Sequence, residues 1–89
     1  LVDLGSDSDP VVDERRASLH RHLGAVASFT GDVAAAISHF EKAHAALARH
    51  VASYPDMRPR FLELEQAVGV ANLRKAEVEN CLTMPASDP

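Results

Sequence analysis

Between Val12 and Phe29 the apolar residues Leu19, Leu23, Val26 and Ala27 return at steps of three and four, with polar residues between them. That rhythm predicts an amphipathic helix. Its start is marked by Asp9-Pro10, since the aspartate can accept from exposed N–H groups and the proline fits the first helical position. Asp13 and Glu14 then sit at the positive end of the helix dipole. The run is broken at Thr30-Gly31-Asp32, where a glycine suited to a helix end is followed by an aspartate suited to capping the next helix. After it, Val33, Ala36, Ile37, Phe40, Ala43, His44, Leu47 and Val51 share one face and predict a second helix reaching about Val51. Ser53-Tyr54-Pro55-Asp56 stops that helix, because the residue before a proline is driven out of the α region, and Asp56 is placed to cap a third helix. That third helix is expected from Met57 or Arg58 to Arg74, with Phe61, Leu62, Leu64, Val68 and Leu73 as its apolar surface. Residues 76–82 are expected to add a short fourth helix that Pro85 ends.

The fold class expected is therefore all-α: an antiparallel helical hairpin, a third long helix and a short fourth. Residues 1–9 read as a mobile acidic leader, 10–83 as the helical domain and 84–89 as a frayed tail. With 89 residues there is room for one small domain with a thin core. Small residues stand where two helices would cross closely: Gly24 and Ala27 on the first face Ala36 and Ala43 on the second, with Phe40 between them.

The order Leu23, Gly24, Gly31, Asp32, Ala36, Phe40, Ala43 resembles the tetratricopeptide repeat, a unit of two antiparallel helices and about 34 residues. In that register the unit runs from Ala17 to His50. It departs from the pattern at His20 and Ala27, where aromatics are usual, and in lacking the closing proline. Val68-Gly69 echoes Leu23-Gly24 as a partial second copy, in which Cys81 takes the small-residue place of Ala36. Gly69 to Cys81 also resembles, through Arg74, Glu77, Glu79, Asn80 and Cys81, the segment before the β-propeller in secreted bacterial proteins of the FG-GAP/ASPIC–UnbV (cartilage acidic protein-like) family. That resemblance implies an exported protein and a partner for Cys81 elsewhere. Because the chain opens on Leu1, a processed piece of a longer polypeptide is expected.

The tetratricopeptide resemblance implies a concave, partner-binding groove lined by the first helix of each unit. Carried onto this sequence, it comprises Ser18, Arg21, His22, Ala25 and Phe29 from the first unit and Glu63, Gln66, Val70, Leu73 and Arg74 from the second. The lysine and asparagine that clamp a terminal carboxylate in chaperone-binding members are replaced by Arg21 and Ala25. A protein is the expected partner: another chain, a second copy, or the rest of a longer polypeptide.

Composition narrows the other classes. Nine Lys and Arg against thirteen Asp and Glu give a net charge of −4, which disfavours nucleic acid as a partner. No apolar run is long enough to expect membrane insertion. A single cysteine leaves no internal disulfide and no CxxC metal site. The five histidines, His20, His22, His39, His44 and His50, miss the i, i+4 spacing of a helical metal pair, so a metal site would have to be assembled across helices. His44, on the apolar face, is the one expected to be packed. There is no strained nucleophile turn and no glycine-rich phosphate loop, so no catalytic residue, cofactor or enzymatic activity is expected. The expected function is a non-catalytic interaction or assembly module, with self-association first among its forms. The alternatives are an accessory domain that uses the histidines for a metal or cofactor and a structural spacer in a larger exported protein.

Overall fold

A computed structural model describes residues 9–83, and the side chains of 9–80. The described chain is all-α: α1 (Pro10–Phe29), α2 (Val33–Ala48) and α3 (Arg58–Thr83), with one turn of 3₁₀ helix at Pro55–Met57 before α3. The expected leader, the tail and the packing of Cys81 lie outside the described residues.

Local chemistry sets the helix ends. Asp9 caps α1 by accepting from the Val11 N–H at 2.9 Å, with Pro10 at the first helical position. At the other end Gly31 takes φ 87°, the left-handed region open to glycine. The Asp32 N–H then reaches back to the Ala27 carbonyl at 2.8 Å and the Gly31 N–H to that of Ser28 at 3.1 Å. These two bonds form a Schellman closure that satisfies carbonyls a helix end would otherwise orphan. Asp32 is at once the cap of α2, accepting from the Ala35 N–H at 3.1 Å. The interruption in the apolar run is a turn between two helices.

α1 and α2 run antiparallel: Asp13 meets His50, His20 meets His39, and Gly24 meets Phe40. Where Gly24 faces Phe40, an added Cβ would stand only 2.7 Å from the ring's Cε1 and 2.8 Å from Cδ1. The ring lies on bare backbone, as the small-residue pattern required. Ala17, Ala27, Ala36, Ala43, Ala46, Leu47, Leu64 and Ala71 complete the core, with Phe61, Ala67 and Val68 packed at its edge. α3 crosses back against α2 and runs parallel to α1, as the Arg60–Glu14 ion pair at 2.9 Å shows.

Four expectations are corrected. First, α2 ends at Ala48 and not near Val51. Both the His50 and Val51 N–H groups converge on the Leu47 carbonyl, and the Ser53 and Tyr54 N–H groups converge on that of His50. Such tightened bonds end the regular helix about two turns before Pro55. Second, Asp56 lies inside the 3₁₀ turn, with Tyr54 at its cap position, so it does not cap α3. Third, no separate fourth helix forms: α3 is continuous through residues 76–82, where the chain has neither glycine nor proline to stop it. Fourth, Leu19, Leu23 and Val26 are exposed, as is Leu62. α1 buries its small-residue stripe, Ala17, Gly24 and Ala27, because only that face permits the close approach of α2.

The two helical glycines therefore differ in kind. Gly24→Ala is expected to lower unfolding free energy by about 1–3 kcal/mol through overpacking against Phe40. Gly69 has open space around its missing Cβ, so Gly69→Ala is expected to raise stability by about 0.5–1 kcal/mol through helix propensity. Urea titrations at low micromolar concentration check both; equal effects at the two positions would contradict the register.

Candidate functional site

Because α1 and α3 are parallel and both lean on α2, they leave a hollow between them on the side away from α2's outer face. Its volume is about 380 Å³. Phe40 of α2 forms its floor, Ala67, Val70 and Ala71 its α3 wall, and Ser28 its α1 wall. Gln66 sits among the apolar groups, and Glu63 and Arg74 stand at the rim. A neighbouring hollow of about 470 Å³ continues past Arg74 and Ser28 to Ala25 and Phe29. Phe29 is 93% exposed, so nearly the whole ring faces solvent at this lip.

The ten predicted groove residues divide accordingly. Ala25, Phe29, Glu63, Gln66, Val70 and Arg74 line the two hollows. Arg21 and Glu63 face a separate, polar cleft, which also contains Glu14, Asp56 and Arg60. Ser18, His22 and Leu73 are exposed but line none of the three. Phe40 and Ala71 were missed as groove residues. The clue was Phe40's place over Gly24, which puts one edge of its ring against α1 and leaves the other facing α3.

The hollow's charges are unused by the fold. Glu63 and Arg74 make no ion pair with one another or with any described residue, whereas Arg60 pairs with Glu14 and Lys75 with Glu79 at 3.1 Å. From Asn72 to Asn80 every described side chain of α3 is exposed. The last turns of the helix thus project beyond the hairpin with one apolar edge bare.

Four of the five histidines pair or stack within the fold. His50, and not His44, is the most buried: it is 7% exposed, and its Nε2 lies 2.8 Å from Oδ2 of Asp13, itself 1% exposed. Arg49 Nη1 donates to the same oxygen at 3.3 Å, and Tyr54 packs edge-on against the His50 ring. The hydrogen bond from His50 holds the Asp13 carboxyl below its ordinary range; burial pushes the other way, and the Arg49 charge adds to the lowering. His44 is half-buried and stacks on Phe61 at 4.3 Å. Its Nε2 is shielded from solvent with no hydrogen-bond partner, and Glu65 Oε2 stands 3.6 Å away. His20 and His39 bring their Nδ1 atoms to 3.0 Å, one ring donating and the other accepting. Burial, with the nearby His39, Lys42 and Arg16, pushes His20 below its ordinary value.

Among the described residues no group of three or more His, Cys, Asp or Glu is placed to hold a metal ion. Nor is any described helix long and apolar enough to cross a membrane. Comparison with protein-family models, curated proteins and solved structures found no match to this chain.

Two acid-side losses of stability are expected. His20 binds its proton less readily folded than unfolded, so its contribution falls as pH descends from above 6.5 through the lowered native value. Asp13 is likewise harder to protonate when folded, so its contribution is present above 3.8 and is lost as pH falls through its own lowered value. Urea midpoints measured from about pH 8 to about pH 3 should show both steps, and His20→Gln should remove the upper one alone. Asp13→Ala, which leaves His50 buried without its partner, should cost about 3 kcal/mol at neutral pH. A pH-independent midpoint above about pH 5 would contradict the His20 assignment.

Proposed function

We propose that this chain is a non-catalytic protein-interaction and assembly module of tetratricopeptide type, which holds a partner in the hollow between α1 and α3. The hollow carries the reading: it has an apolar floor and wall, an exposed phenylalanine at its lip, and opposite charges at its rim that the fold leaves unpaired. Apolar surface of that kind on a small domain marks a contact site, and rim charges orient what binds. The tetratricopeptide reading is supported by an antiparallel hairpin packed through Gly24, Ala27, Ala36, Phe40 and Ala43, with a third helix parallel to the first.

The alternative of a metal- or cofactor-linked domain would use His20 and His39. Two nitrogens, with Arg16 and Lys42 as cationic neighbours, make a poor cation site. A spacer role in an exported protein would use the same helices without the hollow, and leaves Phe29 and the rim charges unexplained.

Peptides selected from a random library for binding to the chain provide the test. Val70→Glu should weaken the selected peptides by ~10-fold or more, since it puts a charge in the apolar wall, while Leu19→Glu on the far side of α1 should leave them unaffected. Peptides that bind both variants equally would sink the reading.

A further inference from the structure

We infer that the occupant of the hollow is α3 of a second copy of this chain, laid antiparallel along α3 of the first. The inference rests on the interaction reading above and names its partner.

The placement of charge carries it. Glu63 and Arg74 are eleven residues apart, just over three full helical turns, so they stand close to one line along α3 about 16 Å from each other. Both face the hollow and neither has an ion-pair partner in the described chain. A helix running parallel in matched register would set like charges opposite one another. An antiparallel copy sets Glu63 against Arg74 of the partner subunit and Arg74 against the partner's Glu63, both pairs formed by one two-fold operation.

That operation fixes the rest of the register. Its axis falls midway between Glu63 and Arg74, level with the Val68–Gly69 peptide. The partner's Val70 then comes opposite Ala67, on the apolar wall of the hollow. Val70, 56% exposed, is covered in the same step. The projecting half of α3 beyond Asn72 lies along the first half of the partner's α3, so the bare end of each helix gains a neighbour.

α1 does not offer the same solution. It exposes Val12, Leu19, Leu23 and Val26 as a stripe with Arg15 and Arg16 beside it, but the acidic residues of α1, Asp13 and Glu14, are already paired with Arg49 and Arg60. Two copies joined there would find no free carboxylate on α1 for those arginines.

Sedimentation equilibrium of the full chain, from about 10 μM to about 1 mM at low salt, provides the first measurement, and a concentration-dependent dimer is expected. Glu63→Arg and Arg74→Glu should each weaken dimerisation by ~10-fold or more, and the double exchange should restore it. An equimolar mixture of the two single variants should associate more tightly than either alone, because each then supplies the charge the other lacks. Both residues are exposed, so helicity by circular dichroism should be unchanged. A chain that stays monomeric to about 1 mM, or a double exchange as weak as the single ones, overturns the inference. If that monomer still binds selected peptides in a Val70-dependent way, the hollow remains a binding site and only its assigned occupant is wrong. If peptide binding fails as well, both readings fall.

Discussion

The contact between the Phe40 ring and the backbone at Gly24 sets the geometry of the molecule. A ring 2.7 Å from where a Cβ would stand fixes how close α1 and α2 can come. At that spacing the remaining inward positions accept only small side chains, and Ala17, Ala27, Ala36 and Ala43 occupy them. The same approach brings His20 to His39 and, two turns nearer the start of α1, Asp13 to His50. It also leaves the far edge of the Phe40 ring as a floor on which α3 cannot fully close, and so creates the hollow.

A core built from alanine gains little per residue from burial, which scales with the apolar area removed from water. The two ends of the hairpin therefore depend on polar chemistry. Gly31 and Asp32 close one end through backbone hydrogen bonds. The other end, where the chain has already left regular helix, is closed by Asp13 with His50 and Arg49. A buried carboxylate is tolerable there because two donors converge on one oxygen. The same dependence on an ionised Asp13 and a neutral His20 is the reason acid is expected to weaken the hairpin.

Two boundaries were legible because their causes are local. Asp9-Pro10 and Gly31-Asp32 act within a few residues and mark the start of α1 and the turn into α2, whereas α2 ends at Ala48 through hydrogen bonds that converge on the Leu47 and His50 carbonyls, seven residues before Pro55. The inward face of α1 was less legible, since its sequence contains two stripes at helical spacing. Leu19, Leu23 and Val26 are the more hydrophobic, but the stripe through Ala17, Gly24 and Ala27 wins because contact with Phe40 requires it. Asp13 belongs to that second stripe, and this shared face was the available sign that it would be buried. Its partner His50 lies on the next helix, where no spacing rule reaches. The hollow was partly legible: Ala25 and Phe29 near the C-terminal end of α1 and Glu63, Gln66, Val70 and Arg74 along α3 line it and its neighbour, whereas Ser18 and His22 lie farther toward the N-terminal end of α1 and line neither.

Burying the small stripe has a consequence for assembly. The larger apolar residues of α1 are turned outward, and α3 carries its own bare edge on the opposite side of the array. Helical-repeat proteins ordinarily cover such faces with neighbours, because one hairpin alone cannot. The two faces are not equivalent. α1 has cations beside its stripe, whereas α3 carries one charge of each sign in line on its rim. Only the α3 face is complementary to itself. A symmetric pair formed there covers α3 in both copies and leaves the two α1 stripes outward, at opposite ends of the assembly, each set among basic side chains.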